Sequence, residues 1–371
     1  MDNPKGYTLS PAVSVPPTYD TAFHGPEVLK NMPYYQLGET DMIVSKLSLG
    51  GTALGSGSCD QEMVDNILWT AVKAGVNYFD TSPWYGSRAS EKVMGKALKK
   101  LPRNTYYIAT KVGRYLPEVQ LQFDFTRQRV RDSVLESMAH LQVDYLDLVQ
   151  VHDVEFCRSM GQIVQHTLPA LNELKAEGKI RYIGITGYNL GTLKRIVELS
   201  CDGTVDTVLS YCRFSLFNTD LMSYSAFFES RRIGVINASP VGMGLITPHA
   251  VPTWHPATKS MKVTCSKAAI YCEKMGINLA ALGVKWCLHQ PNFPTTLNSS
   301  TSVEMLEQNL SMLKDQWTEC DELLVEDLKR RYFNTMIVDQ WENLEPAKYW
   351  SKMEKALAFQ PTDIPTKEEY D

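Results

Sequence analysis

Hydrophobic and polar positions along the chain alternate between a period typical of short buried strands and one typical of amphipathic helices. The run YYQLGETDMIVSKLSLGG, which begins at Tyr34, predicts two short strands around a polar turn and then an apolar strand that ends in Gly50 and Gly51. A helix-period stretch follows and ends at Gly75, which suits a helix C-cap. The folded part of the chain is therefore predicted to begin with a hairpin, a strand and a helix.

The same alternation of strand and helix continues to about residue 313. The later strands are predicted at VNYFDTS, YYIATKV, LDLVQVHD, RYIGITG, TVLSY, GVINASP and PTTLN, which with the strand from Lys46 to Gly51 makes eight. Strands that alternate with helices form a parallel sheet, and eight such units favour closure into a barrel. A doubly wound open sheet is the alternative, but no G-x-G-x-x-G motif follows the first strand. We predict an α/β fold, a (β/α)8 TIM barrel with an N-terminal β-hairpin and a C-terminal helical extension.

Three segments of different character divide the chain. Residues 1–33 are rich in Pro, Ser and Thr and lack periodicity, which predicts a flexible N-terminal extension. Residues 34–335 form the predicted barrel, and residues 336–371 form a C-terminal tail. The aromatic-rich sequence WENLEPAKYWSKMEKALAF could close over a substrate pocket or pack along the outside of the barrel, and we favour outside packing for its last part.

Composition narrows the class of partner. The chain has 371 residues, 44% of them hydrophobic, and a net charge of −5 without a cluster of Lys or Arg, so neither nucleic acid nor a membrane surface is an expected partner. We expect a small-molecule substrate, and the sequence leaves protein partners unknown. The absence of a signal-like N-terminus and of an 18-residue apolar run predicts a cytoplasmic protein.

Cysteine, histidine and acidic residues do not form a metal-binding pattern. The eight cysteines are scattered without a C-x-x-C pair, so we expect reduced thiols and no metal site. The sequence HDVE after the fourth strand has side chains that can bind metals, but no second cluster completes a site. Its acids are expected to be solvated loop residues.

Four polar residues are predicted to meet at one end of the barrel. Active sites of (β/α)8 barrels lie at the C-terminal ends of the strands. Asp80, Lys111 and His152 close three successive strands, and Tyr85 lies in the loop after the first of them. Taken singly, each has an ordinary explanation, such as a turn cap, a solvated lysine or a buried core histidine. Their convergence at one barrel end favours a shared chemical role.

The chemistry of these four residues is complementary. A phenol titrates near pH 10 in isolation, so a tyrosine that exchanges protons near neutral pH needs a neighbouring cation. Lys111 would supply that charge to Tyr85, and Asp80 would pair with the lysine and hold it in place. His152 would orient the substrate oxygen through a hydrogen bond. These four residues are the predicted catalytic set.

Three motifs, taken in chain order, resemble the segments that carry the Asp, Tyr, Lys and His tetrad of the aldo-keto reductases. They are NYFDTSPWYG, ATKVGR and DLVQVHD. The resemblance extends from about Tyr34 to about Leu313. Within that family, the phrases GKIRYIGITGY, ASPVGMGL and PTWHPA are most similar to the L-galactose dehydrogenase branch. The resemblance implies oxidation of C1 of an aldose to its lactone with NAD, and hence a sugar or related carbonyl substrate.

The same resemblance implies where the nicotinamide end of a cofactor would bind. Thr186 occupies the position of a family Ser that binds the nicotinamide carboxamide. Gly187 replaces the usual Asn, and Ser210 replaces the usual Gln on the sixth strand. Ala238 stands where many members have a Tyr that stacks on the nicotinamide. The replacements at Gly187 and Ser210 shorten the hydrogen-bonding reach of the site, and Ala238 lacks the ring that would stack on the nicotinamide.

Two further segments are candidates for the phosphates and the adenosine. The sequence SPVGMGL, which begins with Ser239, places Gly242 and Gly244 just past the seventh strand, where bare backbone N–H groups can approach an anion. A plain tight turn explains the glycines equally well.

The segment SSTS, which contains Ser299, Ser300 and Thr301, opens the last helix, where hydroxyls and a helix N-terminus suit phosphate or ribose oxygens or simply cap the helix. Gln308 and Asn309 match positions that the family uses around the adenine.

NAD is the expected cofactor, with NADP as the alternative. Members of the family that use NADP hold its 2′-phosphate with a Lys and an Arg, and those positions align with Ser299 and Met305 here. Glu304 and Glu307 add negative charge nearby. The functional alternatives are a general NADPH-dependent aldehyde or ketone reductase and a cofactor-sensing regulatory binding subunit.

Overall fold

A small hairpin and a closed barrel of eight parallel strands form the centre of the protein in the computed structural model, which describes residues 9–358. The hairpin pairs β1 (Tyr34–Gln36) with β2 (Ile43–Ser45) in antiparallel register. The barrel strands are β3 (Leu47–Gly50), β4 (Tyr78–Asp80), β5 (Tyr107–Val112), β6 (Leu146–Val151), β7 (Ile180–Gly187), β8 (Thr207–Tyr211), β9 (Gly234–Ala238) and β10 (Thr295–Asn298). Strand β10 pairs with both β9 and β3, which closes the barrel and confirms the predicted fold class.

Helices surround the barrel and follow its strands. They are α1 (Val28–Asn31), α2 (Gln61–Lys73), α3 (Ala89–Leu98), α4 (Arg127–Leu141), α5 (Met160–Gln162), α6 (Leu168–Ala176), α7 (Leu190–Leu199), α8 (Met222–Ser230), α9 (Lys259–Lys274), α10 (Leu279–His289), α11 (Val303–Lys314), α12 (Glu319–Arg331) and α13 (Leu344–Ala358). In the described part of the chain, no helix is both long and apolar enough to cross a membrane. All eight cysteines are free thiols.

Helix α2 shows how local sequence sets these boundaries. It begins after Asp60, whose side chain accepts a hydrogen bond from the backbone N–H of Met63 at 2.8 Å. It ends before Gly75, which has a φ of 93°. A side chain there would be strained and would also collide with the Tyr34 hydroxyl. The predicted glycine C-cap is therefore confirmed.

The hairpin packs against the N-terminal end of the barrel. Its side chains Leu37, Met42 and Val44 are fully buried and belong to the apolar cluster inside the barrel. The Tyr182 hydroxyl, on β7, accepts a hydrogen bond from the backbone N–H of Asp41 at 3.0 Å. Because the hairpin occupies this end, a ligand would enter at the opposite end, where the strands terminate.

The N-terminal segment, from residue 9 onward, is packed against the barrel. Val28 and Met32 are buried, and the His24 imidazole hydrogen-bonds the carbonyl of Val72 at 3.0 Å. The Thr18 hydroxyl accepts from the Asn77 amide at 2.7 Å. This packing differs from the flexible extension expected from composition, since a few apolar anchors hold a segment otherwise rich in Pro, Ser and Thr. The boundaries of the three segments stay a prediction.

The C-terminal segment covers the loops at the strand ends. Trp341 is 2% exposed and stacks on Tyr188, with ring centroids 4.4 Å apart. In α13, Tyr349 packs edge-on against Phe123 at 5.0 Å and against Phe156 at 5.8 Å, and these two residues follow β5 and β6. The part of this segment around Trp341 and Tyr349 therefore lies over the C-terminal end of the barrel, and the outside packing expected for its last part stays a prediction.

Candidate active site

The four predicted catalytic residues converge at the C-terminal end of the barrel. Asp80 is the last residue of β4, Lys111 lies on β5, and His152 directly follows β6, and all three are buried. Tyr85 lies in the loop between β4 and α3 and is partly exposed. Side chains alternate between the two faces of a strand, so the three strand residues share the inner face of the barrel.

The Lys111 ammonium is the centre of this cluster. It donates one hydrogen bond to Asp80 Oδ1, a second to the carbonyl of Thr81 at 3.0 Å and a third to the Tyr85 hydroxyl at 3.1 Å. An ammonium has three donors, so all are used. Burial alone would lower the pKa of Lys111, but the Asp80 carboxylate and the Tyr85 phenol raise it above its usual value. The lysine therefore stays charged beside the phenol.

The second oxygen of Asp80 is held from two sides. Gln150 Nε2 donates to Asp80 Oδ2 at 2.6 Å, and the Tyr78 hydroxyl donates to the same atom at 3.3 Å. Sequence reasoning missed Gln150, although its position on β6 two residues before His152 places both on the same face. These contacts fix the carboxylate that in turn fixes Lys111.

His152 is oriented by the loop after β4. Its Nδ1 lies 3.1 Å from the Ser82 hydroxyl, which also accepts the backbone N–H of Trp84 at 3.1 Å. Burial lowers the pKa of His152 to about 3, so the ring is neutral at physiological pH. We assign the Ser82 proton to the hydrogen bond with Nδ1, which leaves Nε2 as the donor. The ring stands at 90° to Tyr85, with centroids 5.9 Å apart.

The two acids that follow His152 are not solvated, and that expectation was wrong. Asp153 is 1% exposed and forms an ion pair with Arg114 at 2.5 Å. Glu155 Oε1 accepts the backbone N–H of Tyr188 at 2.7 Å, while its buried Oε2 has no hydrogen-bond partner among residues 9–358. Burial, and then the neighbouring Asp153, raise the pKa of Glu155 to about 8. A 3-10 turn at Val154–Phe156 folds both acids into the protein, which the polar sequence did not indicate.

Glu345, near the start of α13, is a third acid in this region that sequence reasoning missed. Burial, and then the nearby Asp153 carboxylate, raise its pKa above the usual range. The charge of Arg114 acts in the opposite direction. The C-terminal segment therefore brings a carboxyl group close to the Arg114–Asp153 pair at the mouth of the barrel.

The residues predicted to bind nicotinamide lie at the ends of β7 and β8. Thr186 is buried, and its hydroxyl accepts the backbone N–H of Asp153 at 3.5 Å. Gly187 and Ser210 are register partners across the two strands. The buried Ser210 hydroxyl has no hydrogen-bond partner in the described part of the chain. An unpaired buried hydroxyl at a strand end is a place where a polar ligand group would be stabilised.

The turn after β9 has the backbone geometry that suits an anion. Ser239, Gly242, Met243 and Gly244 all have positive φ angles, of 56°, 63°, 53° and 96°. A Cβ on Gly242 would also approach Phe217 to 2.7 Å. The Gly242 N–H donates to the Ser239 carbonyl at 2.9 Å and the Ser239 N–H donates to the Leu297 carbonyl at 3.2 Å, so the segment is also a tight turn. An anion would therefore be bound by the other N–H groups of the turn.

His255 connects this turn to the C-terminal segment. His255 Nε2 hydrogen-bonds the carbonyl of Gly242 at 2.8 Å, and the His255 ring meets Trp341 edge-on at 5.2 Å. Lys262 donates to the His255 carbonyl at 2.7 Å. Lys262 also lines a cavity of about 760 Å³ between the segment at residues 245–251 and α9, which no member of the tetrad lines.

Several polar groups of the segment before α11 already form hydrogen bonds within the protein. Ser299 Oγ donates to the carbonyl of Gly50 at 3.1 Å, and Asn309 donates to Ser300 Oγ at 3.2 Å. The Thr301 carbonyl accepts a weak bond from the Cys59 thiol, and Gln308 is exposed.

The alternative of ordinary helix capping is confirmed for Ser302, whose hydroxyl accepts the backbone N–H of Met305 at 3.2 Å. The polar atoms of this segment nevertheless lie beside the end of β3, at the same end of the barrel as the tetrad.

These observations fit a dinucleotide across the barrel mouth. The unpaired Ser210 hydroxyl suits a polar group of a nicotinamide, and the left-handed turn at 239–244 suits a pyrophosphate. The hydroxyl-bearing segment at 299–302 suits ribose or phosphate oxygens.

Comparison with known proteins gives the family independently of this geometry. The aldo/keto reductase family model matches residues 46–325. L-galactose dehydrogenase from Arabidopsis thaliana is 39% identical over 283 residues, which cover 75% of this chain and 87% of the relative. D-arabinose 1-dehydrogenase from Saccharomyces cerevisiae is 32% identical over 321 residues, which cover 81% of this chain and 94% of the relative.

Solved structures show the same fold. The holo form of an aldo-keto reductase from Bacillus halodurans superimposes with a TM-score of 0.64 at 24% identity and covers 80% of this chain and 96% of its own. Since the family model spans most of the chain and the closed barrel carries the tetrad at its C-terminal end, the protein belongs to the aldo/keto reductase family of oxidoreductases, which use nicotinamide cofactors.

Proposed function

We propose that the protein is an NAD-linked aldose 1-dehydrogenase in which Tyr85 transfers the proton. The observation that carries the proposal is the Lys111 ammonium, which joins the Asp80 carboxylate to the Tyr85 hydroxyl at the open end of the barrel. A positioned cation stabilises a phenolate and so lets a tyrosine act as an acid or a base near neutral pH.

Each member of the tetrad has a distinct part in this proposal. The bound nicotinamide supplies the centre that accepts or donates a hydride at its C4 atom. Tyr85 takes the proton from the sugar hydroxyl during oxidation and returns it during reduction. Lys111 holds positive charge beside that oxygen, and Asp80 keeps the ammonium in place. His152 is neutral and offers Nε2–H as a hydrogen-bond donor to the substrate oxygen.

The sugar substrate class is supported by the names of the relatives. The two dehydrogenases described above act on L-galactose and D-arabinose, and a D-threo-aldose 1-dehydrogenase from a Pseudomonas species is 29% identical over 227 residues. An aldose presents several hydroxyl groups, and the charged Arg114 and Asp153 near His152 can hydrogen-bond to such groups.

The cofactor would lie across the predicted binding residues. Thr186 and Ser210 would contact the nicotinamide. Ser239, Gly242 and Gly244 would contact the pyrophosphate. The adenosine half would lie near a set at the start and first turns of α11, namely Ser299, Ser300, Thr301, Gln308 and Asn309. A preference for NAD over NADP and a cytoplasmic location are part of the proposal.

A substrate screen tests this function directly. Purified protein is mixed with a panel of aldoses and with NAD or NADP, and the absorbance of reduced nicotinamide is followed, with Tyr85→Phe as the matched control. We expect NAD-dependent oxidation of at least one aldose that the control lacks. Reduction of simple aldehydes with NADPH, without turnover of any aldose, would favour a general reductase instead.

A further inference from the structure

Glu155 occupies space that a side chain at Gly187 would need. The carboxyl of Glu155 lies where a Cβ on Gly187 would be placed. Glu155 Oε2 would be well inside contact distance of that Cβ, and Glu155 Cδ would be 3.2 Å from it. Gly187 is the last residue of β7 and does not have a left-handed backbone. The glycine is therefore required by space rather than by conformation, and the carboxyl of Glu155 takes the place of its missing side chain.

One oxygen of this carboxyl has a structural partner and the other does not. Oε1 accepts the backbone N–H of Tyr188 and so positions the chain just before α7. Oε2 is buried and has no partner of good hydrogen-bond geometry in the described range, although the backbone N–H of Asn189 also faces the carboxyl and lowers its pKa. Leaving a buried polar atom unpaired is costly, so such atoms in folded proteins usually mark a missing ligand or water.

A second unpaired atom belongs to the neighbouring strand. Ser210 is the register partner of Gly187, and partners in parallel strands direct their side chains to the same face. The Ser210 hydroxyl is also buried without a partner among residues 9–358. The Glu155 carboxyl oxygen and the Ser210 hydroxyl, both at the ends of β7 and β8, therefore lack good hydrogen bonds.

We propose that Glu155, together with Ser210, binds the carboxamide of the nicotinamide and sets the orientation of its ring. This inference rests on the proposed function and deepens it. A carboxamide offers one acceptor and two donors, which match a carboxylic acid and a hydroxyl. Glu155 is a positioning residue in this role, because it acts on the ring and not on the reacting atoms.

The electrostatics around Glu155 agree with this role. Its pKa of about 8 means that the acid is mostly protonated at neutral pH, so it carries both a donor and an acceptor, as an amide does. The charged or titratable groups that face this region are Asp153 after β6, Arg114 after β5, Tyr211 on β8 and Glu345 on α13. Arg114 pairs with Asp153 and not with Glu155, so the Glu155 carboxyl can stay neutral and meet a neutral ligand group.

The test measures binding rather than turnover. Dissociation constants for NADH and for ADP-ribose are measured by calorimetry on the intact protein and on Glu155→Ala and Glu155→Gln variants. ADP-ribose contains the phosphates and the adenosine but no nicotinamide. The Glu155→Ala variant loses one or two buried hydrogen bonds to the ligand. It should therefore bind NADH about tenfold more weakly than the native protein and bind ADP-ribose with unchanged affinity. Glu155→Gln keeps a donor and an acceptor and should stay within about threefold of the native protein.

A compensating pair of substitutions makes the test sharper. Gly187→Asn alone should weaken NADH binding, because its Cβ displaces the Glu155 carboxyl. In Glu155→Ala/Gly187→Asn the space is vacant, so the Asn amide can take over the hydrogen bonds and restore affinity relative to Glu155→Ala. Melting temperatures of all variants show that each is folded.

The outcomes separate this inference from the proposed function. If the native protein binds neither ADP-ribose nor NADH, the proposed function fails. If the native protein binds both and Glu155→Ala weakens them equally or not at all, Glu155 does not bind the carboxamide and the inference is overturned. A change confined to the KM of the sugar, with NADH affinity unchanged, would overturn it as well and place Glu155 beside the substrate.

Discussion

Lys111 donates a hydrogen bond to the hydroxyl of Tyr85 across 3.1 Å, and the same ammonium is anchored on Asp80. The pair joins a strand residue to a loop residue, so the loop after β4 must be folded for the phenol to reach the cation. Gln150 and Tyr78 hold Asp80 from the far side. The Tyr85 hydroxyl is thus positioned by buried residues of three strands.

Tyr85→Phe should retain cofactor binding and lose most turnover, because the substitution removes the hydroxyl and keeps the ring. A positioned general acid or base contributes on the order of 10² to 10⁴ in rate, which is the expected loss in kcat. Steady-state kinetics on the best aldose, with NADH affinity as the control, provide the measurement. A variant with more than half of the native kcat would remove Tyr85 from the mechanism.

Lys111→Met should shift the rising limb of the kcat profile to higher pH and lower the rate at neutral pH. The reason is that the ammonium beside the Tyr85 oxygen favours the deprotonated phenol, and methionine removes that charge. The profile is measured across the pH range in which the melting temperature of the variant shows a folded protein. An identical profile and rate would show that the two side chains do not interact.

Trp341→Ala should destabilise the protein by roughly 3 to 5 kcal/mol, the usual cost of removing a buried large aromatic side chain. Trp341 is almost fully buried between Tyr188 and His255. Denaturant unfolding measures the loss, and Trp341→Phe, which keeps one stacked ring, should lose less. Because His255 supports the carbonyl of Gly242, we also expect weaker ADP-ribose binding by Trp341→Ala. Native stability of that variant would mean that the C-terminal segment is not docked in solution.

Glu155→Gln should change how stability depends on pH. The pKa of Glu155 is raised from an ordinary 4.5 to about 8 in the folded protein, so the folded state keeps a proton that the unfolded state loses in this interval. Stability is therefore lost as pH rises from about 4.5 to about 8. The amide cannot ionise, so the melting temperature of Glu155→Gln relative to the native protein should increase by a few °C between about pH 5 and about pH 8. A constant difference across that range would show that Glu155 titrates normally.

The native protein should use NAD with a kcat/KM roughly 10 to 100 times that for NADP. This is the affinity that charge-assisted hydrogen bonds to the 2′-phosphate would add, and we expect the protein to lack them. Met305, which we align with a family residue that holds the 2′-phosphate, is 43% exposed. Lys262 donates its hydrogen bond to the His255 carbonyl. Met305→Arg should therefore raise kcat/KM for NADP and leave that for NAD nearly unchanged. An advantage for NADP in the native protein would mean that another cation reaches the phosphate.

The site residues that could be predicted are those whose positions follow from periodicity along a single strand. Asp80, Lys111 and His152 each lie at the end of a short apolar run, and parallel strands bring such ends together. Gln150 was open to the same reasoning, since residues two apart on a strand share a face. The barrel and the three strand-end positions therefore followed from local pattern, whereas Tyr85 was assigned from its chemistry and from the resemblance to the aldo-keto reductases.

Glu155 shows what local pattern could not decide. In the sequence it is one polar residue in a loop, and only the approach of β7 shows that its carboxyl fills the space beside Gly187. Its raised pKa results first from burial, which the polar sequence does not record, and then from Asp153 two residues earlier in the chain.

The sequence by itself determined the class of the fold, the strands and the three strand-end residues of the tetrad, because strand periodicity and strand-end position are local properties. The tertiary structure alone decided that the N-terminal segment packs on α2, that Trp341 and Glu345 return to the barrel mouth, and that the Glu155 carboxyl lies beside Gly187. These are contacts between residues far apart in the chain. Their energy comes from apolar surface and charge brought together only when the barrel has closed, and no periodic pattern records them.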